Sequence, residues 1–210
     1  MRDAALSAAP PLAVVFDLGG VLVDWNPRYL YRKIFEDAAA MERFLGEICT
    51  PEWNDEQDAG RPFAEAVAML QARHPDEAER IAAYDLRWEE MIRGPVAETV
   101  ELLEELHRRD TPLYALSNWS AEKFPVARRR FAFLDRFRDI VVSGEVGLKK
   151  PDPRIFRLAA ERFGIAPRDA VFIDDAPANV AAAASLGFHA IRFTGAGPLG
   201  EELRTLRLLD

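Results

Sequence analysis

Four places in the chain put polar, chemically capable residues at the ends of short apolar runs. Asp17 lies in the run 12–18, Ser117 and Asn118 close the run 113–117, Lys149-Lys150-Pro151-Asp152 follows the run 140–143, and Asp174-Asp175 close the run 171–174. If these runs are neighbouring parallel strands, all four polar ends meet at one edge of a sheet, where open α/β sheets bind their ligands. Asp17, Asp174 and Asp175 around a single lysine carry a formal charge of about −2, and desolvated carboxylates so close together cannot all stay ionised. A divalent cation restores the balance, and an all-oxygen donor set suits Mg²⁺ with room left for a substrate phosphate. A carboxylate beside such an ion and a fixed lysine can attack phosphorus, forming an acyl phosphate that water then hydrolyses. In that chemistry Asp17 is the nucleophile. The Ser117 hydroxyl, the Asn118 amide or backbone N–H, and Lys150 are the donors to the transferring oxygens. The plain structural alternative is that Asp174 and Asp175 only cap the helix that follows. None of His74, His107 and His189 falls at a strand end, and ordinary structural roles are expected for them.

The elements needed to bring those ends together can be read from the pattern. The β-branched apolar runs at 12–18, 113–117, 140–143, 171–174 and 190–193 read as strands buried on both faces, most of them separated by amphipathic helical stretches, and that alternation implies a parallel sheet. Pro95 is expected to open a helix with Val96, Val100, Leu103 and Leu106 or His107 on one face; Asp152 followed by Pro153 reads as an N-cap with proline in the first turn; and a helix led by Pro177 is expected to stop at Gly187. Between the first strand and Pro95 lie some seventy residues without a strand-like run. They open on Asn26-Pro27 and are expected to be helical over 27–47, 61–73 and 76–92, with breaks at Thr50-Pro51, Gly60-Arg61-Pro62 and His74-Pro75. The fold class expected is therefore α/β, a parallel sheet core of 1–24 and 95–210 with an inserted helical subdomain at 25–94.

Composition narrows the partners. At 210 residues, 49% hydrophobic and 30% charged, the chain can bury a real core. A net charge of −8 disfavours nucleic acid and anionic lipid, and Arg128-Arg129-Arg130 reads as a solvated helix face. A single cysteine, Cys49, excludes an internal disulfide and fits a cytoplasmic location. The Ala-rich first sixteen residues, interrupted by Asp3 and Pro10-Pro11, do not read as a signal peptide, and no apolar run reaches the roughly 20 residues of a membrane helix.

Taken in order, Phe16-Asp17-Leu18-Gly19-Gly20-Val21-Leu22, Leu116-Ser117-Asn118, Lys150-Pro151-Asp152-Pro153 and Phe172-Ile173-Asp174-Asp175 with Asn179 resemble the four motifs of the haloacid dehalogenase-like (HAD) hydrolase superfamily. The resemblance spans nearly the whole core. It implies a Rossmann-like core with a helical cap inserted after the first motif. It also implies Asp17 as nucleophile, Mg²⁺ held by Asp17, the Gly19 carbonyl and Asp175 with Asp174 in support, Ser117 and Asn118 on the phosphate, and Lys150 rather than Lys149 beside Asp17. One departure stands out: the phosphatases of this family carry a second Asp two residues after the nucleophile, where this chain has Gly19. That residue protonates the leaving group, and losing a positioned general acid costs about 10²- to 10⁴-fold. Substrates with a good leaving group, such as an anomeric phosphate, or another acid such as Asp24 would answer the loss. A dehalogenase attacking carbon and a non-catalytic phospho-ligand binder remain alternatives, although the acidic pair opposes the first. Specificity is expected in the inserted helices, where Trp25, Tyr29, Trp53, Tyr84 and Trp88, with Trp119 beside the phosphate loop, either face a ring or pack, and where Arg28 and Arg61 meet an anionic group or solvent. Gly94 is a candidate hinge. No oligomeric state follows from these patterns.

Overall fold

The computed structural model describes residues 13–210, so the reading of the Ala-rich start and of Leu12 lies outside the described residues. The chain enters on strand β1 (Ala13–Phe16), turns through Gly19-Gly20 and forms a short strand β2 (Val23–Trp25). Five helices follow: α1 (Arg28–Tyr31), α2 (Ala38–Glu47), α3 (Pro51–Asp58), α4 (Phe63–Arg73) and α5 (Ala78–Leu86). Strand β3 (Ile92–Pro95) returns antiparallel to β2, and α6 (Ala97–Arg108) leads back to the sheet at β4 (Leu113–Ser117). The remaining elements are α7 (Phe124–Arg130), β5 (Asp139–Val142), α8 (Ser143–Val146), α9 (Pro153–Phe163), β6 (Ala170–Asp174), α10 (Pro177–Ser185), β7 (His189–Arg192) and α11 (Ala196–Thr205).

The main sheet has the order β5-β4-β1-β6-β7 with every neighbouring pair parallel. Successive side chains of a strand point to opposite faces. Val14, Phe16, Ala115, Val171 and Ile173 accordingly fill one core, while Ala13, Val15, Leu116, Phe172 and Val141 fill a second with Ile155, Phe156 and Phe163 of α9. The near-continuous apolar runs are thus what a sheet covered on both faces requires. Because β1 is central, its carboxyl end lies between those of β4 and β6, and the Asp17 N–H donates to the Ile173 carbonyl at 2.8 Å.

Asp152 caps α9 as expected, its side chain accepting from the Arg154 N–H at 2.9 Å, and Gly187 takes a left-handed φ of +94° just past α10. Other expectations need correction. The stretch between β1 and α6 is not free of strand: the ribbon of β2 and β3 pairs Val23 with Pro95 and Asp24 with Gly94. Pro95 therefore ends a strand, where its missing N–H costs nothing on an edge, and α6 starts at Ala97. Each of these strands is three or four residues long and partly exposed, too short for a period-two pattern to stand out. Thr50-Pro51 is not a break but the start of α3: the Thr50 hydroxyl accepts from the Trp53 N–H at 3.2 Å, and Pro51 opens the helix. Nor is 27–47 one helix, since Asp37 caps a new one by accepting from the N–H groups of Ala39 and Ala40.

Phe44, Tyr84 and Trp88 from the inserted segment belong to the same continuous buried cluster as Val14 and Phe16 of the sheet. Gly94 is paired in the ribbon, and Arg130 donates to the Ile92 and Arg93 carbonyls, so that cation braces the ribbon rather than lying only on a solvated face. These contacts argue against free opening about Gly94. Among the described residues no helix is long and apolar enough to cross a membrane.

Candidate active site

At the carboxyl edge of the sheet, Lys150 bridges two of the carboxylates. Its Nζ lies 2.9 Å from Asp17 Oδ1 and 2.6 Å from Asp174 Oδ2, and the lysine is only 2% exposed. Asp17 Oδ1 also accepts from the Leu18 N–H at 2.7 Å, which orients the carboxylate. Asp174 is fully buried and heavily hydrogen-bonded: the Asn179 amide donates to both of its oxygens at 3.0 and 3.1 Å, and the Ala176 N–H to Oδ1 at 2.9 Å. Asp174 thus anchors Lys150 and the start of α10, while Asp175 is exposed toward the cavity. One oxygen from each of Asp17, Asp174 and Asp175 lies within 4.8 Å of the others. Gly20, at φ +74°, lets the turn pass so close that a Cβ there would meet Asp175 Oδ2 at 2.6 Å.

Ser117 and Asn118 differ in what they can offer a ligand. Ser117 is fully buried, and its hydroxyl has no protein partner. The Asn118 side chain is committed: its Nδ2 donates to the Lys150 carbonyl at 3.0 Å, and its Oδ1 accepts from the Lys150 N–H at 2.8 Å. Its amide therefore splints the lysine loop, and its backbone N–H is what it has to offer a ligand. Lys149, which the Lys-Pro order sets aside in favour of Lys150, donates to Asp55 of α3 at 2.7 Å.

Electrostatics follow from burial. Burial raises the Asp17 carboxyl well above the usual carboxylate range, with Lys150 opposing and Asp174 reinforcing. Burial works to lower Lys150, but Asp17 and Asp174 overcome it and leave the ammonium more firmly protonated than usual. Asp175 is also raised, by burial first and Asp174 second. Three carboxylates against one cation therefore leave the site short of positive charge, and its donors are all hard oxygens, so these residues fit a divalent metal of the Mg²⁺ type.

A cavity of about 260 Å³ opens above these groups. Asp17, Gly19, Gly20, Asn118 and Asp175 form its floor. Trp25, Trp88, Trp119, Asn54 and Asp58 form its walls. The indole N–H groups of Trp25 and Trp119 are buried without a protein partner. Of the other aromatics singled out, Trp53 packs edge-on against Tyr84 at 5.0 Å, and Tyr29 donates to both oxygens of Asp24 at 2.9 Å. Asp24 does not line the cavity. Arg28 pairs with Glu42, and Arg61 donates to Gln57 and to the Trp53 carbonyl. None of the three histidines lines the cavity.

Asn54 and Asp58 were missed by the sequence reading because α3 was missed. Its signal was Thr50-Pro51, the same cap-then-proline pattern read correctly at Asp152-Pro153. Asp58 is held near its post by the Asn54 amide, which donates to its Oδ2 at 3.1 Å, and by a Ser120 backbone N–H. Ser143 Oγ donates to the Asp58 carbonyl at 2.5 Å and accepts from the Trp119 N–H at 2.9 Å, tying α3 to the loop after β4.

A family model described as haloacid dehalogenase-like hydrolase matches residues 11–187, and the chain belongs to that family. It is 27% identical over 195 residues to a sesquiterpene phosphatase of Aspergillus oryzae, covering 92% of this chain and 95% of that one. Among solved structures it resembles a HAD-like family hydrolase from Porphyromonas gingivalis, with a TM-score of 0.72 and 25% identity over 95% of this chain and 99% of that one. It also resembles a HAD family enzyme of Bacteroides thetaiotaomicron crystallised as a magnesium complex, with a TM-score of 0.66 and 25% identity over 88% and 93% of the two chains.

Proposed function

We propose that the protein is a Mg²⁺-dependent phosphatase that hydrolyses a small-molecule phosphate monoester through an aspartyl-phosphate on Asp17. The observation that carries this reading is the buried Asp17–Lys150–Asp174 arrangement with Asp175 beside it at the floor of a cavity. The phosphatase and the magnesium complex among its relatives support it.

Lys150 and the Leu18 N–H both bind Asp17 Oδ1, which fixes the carboxylate plane and directs Oδ2 to phosphorus as nucleophile. Lys150, held ionised, opposes the burial that raises Asp17 and so favours its carboxylate form; with the unpartnered Ser117 hydroxyl and the Asn118 N–H it stabilises the transferring oxygens. Asp17, Asp175 and the Gly19 carbonyl, with Asp174 behind them, would hold Mg²⁺. When bound, that ion supplies positive charge to the phosphoryl oxygens. A displacement at carbon has no use for Asp174 and Asp175, which would repel a carboxylate substrate, so the dehalogenase alternative is disfavoured.

In this reading residues 25–94 form a cap over a core of 1–24 and 95–210, a boundary supported by the ribbon of β2 and β3 at its root. The unpartnered indoles of Trp25 and Trp119 address the leaving group of the substrate. Nucleic acid is not a substrate, given the net charge of −8, and a buried free Cys49 fits the cytoplasm.

The test is turnover of 4-nitrophenyl phosphate with Mg²⁺, with EDTA, and by Asp17→Asn. Metal-dependent hydrolysis that drops by on the order of 10³-fold or more in the variant is expected. Metal-independent halide release from a 2-chloro acid would overturn the reading, and phosphate binding without turnover would leave a binder instead.

A further inference from the structure

The cavity needs a proton donor that position 19, a glycine, cannot supply. Among the residues lining it, three side chains titrate: Asp17, Asp175 and Asp58. The first two lie in the Lys150 cluster at the floor; Asp58 lines the cavity from the end of α3, outside that cluster. Asp24, the other acid considered, accepts from the Tyr29 hydroxyl through both oxygens and does not reach the cavity. A relay of side chains positions Asp58: Tyr84 Oη donates to Asn54 Oδ1 at 3.0 Å, and Asn54 Nδ2 donates to Asp58 Oδ2 at 3.1 Å.

We propose that Asp58 is the catalytic general acid that replaces the missing second aspartate, an inference that rests on the phosphatase reading. As Asp17 attacks phosphorus, the bond from phosphorus to the ester oxygen breaks. Its electron pair goes to that oxygen, which takes the proton of the Asp58 carboxyl and leaves as an alcohol. Water then enters the space the alcohol vacated, in line with the bond from phosphorus to Asp17, and so meets the same side chain. The Asp58 carboxylate takes a proton from that water, the water oxygen bonds to phosphorus, and the electron pair of the breaking bond returns to Asp17. Asp58 ends protonated, ready for the next turnover.

The electrostatics agree with this role. Burial, with Asp55 on the same helix reinforcing, pushes Asp58 up to about 7, while Lys149, the Ser120 N–H and the Asn54 amide oppose. Tyr84 is the other titratable group facing it, and burial keeps that phenol neutral. Near neutral pH the carboxyl is thus available in both forms, as an acid that becomes a base must be.

The experiment compares Asp58→Asn with wild type in single turnovers, with enzyme and Mg²⁺ in excess over 4-nitrophenyl phosphate or phenethyl phosphate. Nitrophenolate leaves without a proton and phenethyl alcohol does not. Phenethyl alcohol release is expected to fall by about 10²- to 10⁴-fold in the variant, and nitrophenolate release by less than about tenfold. Equal losses on both substrates, or none on phenethyl phosphate, would overturn the assignment, as would Asp24→Asn showing the selective loss instead. Wild type supplies a measurement that does not depend on the variant folding: its first-turnover rate should vary only weakly with leaving-group acidity across a series of monoesters, and a steep dependence rules the acid out. If wild type with Mg²⁺ turns over neither ester, the phosphatase reading itself fails; if it turns over only the nitrophenyl ester, Asp58 alone is refuted.

Discussion

At the scale of single residues, two side chains test the electrostatic account of the site. Gly20→Ala must place a methyl group 2.6 Å from Asp175 Oδ2 on a backbone of φ +74° that alanine resists. Since the atom met is the end of a side chain, Asp175 is expected to swing aside and the fold to survive. The half-saturating Mg²⁺ concentration for phosphatase turnover should then rise by about 10- to 100-fold, as when a metal ligand loses its orientation, and an unchanged value would remove Asp175 from the metal site. Asp58 makes a second prediction. Its folded value of about 7 exceeds the roughly 3.9 of an unfolded aspartate, so between these limits the folded state keeps a proton that the unfolded chain has released. That contribution is fully present below about pH 4 and is lost as pH rises through about 7. Stability measured by urea unfolding without metal should therefore fall across this window, by up to about 1.4 kcal/mol per pH unit from Asp58, and Asp58→Asn should flatten the slope. Asp17 is raised in the same sense and will leave a residual slope in that variant.

At the scale of elements, the contact that matters most is where α3 and the start of α8 meet the loop after β4. A Cβ on Gly144 would lie 2.5 Å from the Ala121 nitrogen and 2.8 Å from the Trp119 carbonyl oxygen, both backbone atoms that cannot swing away. Gly144→Ala should cost about 1–3 kcal/mol in thermal unfolding and raise KM, because the loop it displaces carries Trp119 and follows Ser117 and Asn118. No change in either would show that the loop has slack. The sequence foretold the sheet here but not the docking. The strand 113–117 was legible because a strand buried on both faces leaves an unbroken apolar run. α3 was legible only at its Thr50-Pro51 cap, because Pro-Glu-Trp-Asn-Asp-Glu-Gln-Asp has almost no apolar stripe: within it only Gln57 is fully buried, its amide donating to the Trp53 carbonyl at 2.6 Å.

At the scale of the whole molecule, the inserted helices and the sheet share one core. Phe44, Tyr84, Met91 and Trp88 are continuous with Val14, Phe16 and Ile173, and Trp88 lies 5.7 Å from Trp119 across the cavity wall. Ion pairs between the two parts, Lys149 with Asp55 and Lys123 with Asp85, are partly exposed and add at most about 1 kcal/mol each. The apolar cluster is therefore what couples them. Calorimetry should show a single cooperative unfolding transition, and a separate early transition for the helices would contradict the shared core.

The amino-acid order by itself determined the α/β class and pointed to Asp17, Ser117, Asp174 and Asp175 at the ends of locally readable apolar strands, and to Lys150 in the loop after another, because parallel strands bring such ends to one edge. Tertiary structure alone decided which neighbours those residues keep. The Asn118 amide turned to the Lys150 backbone 32 residues away, Lys149 to Asp55 94 residues away, and the Asp58 carbonyl to Ser143 85 residues away. Hydrogen bonds at such separations are set by how packed surfaces meet, and local periodicity carries no record of them.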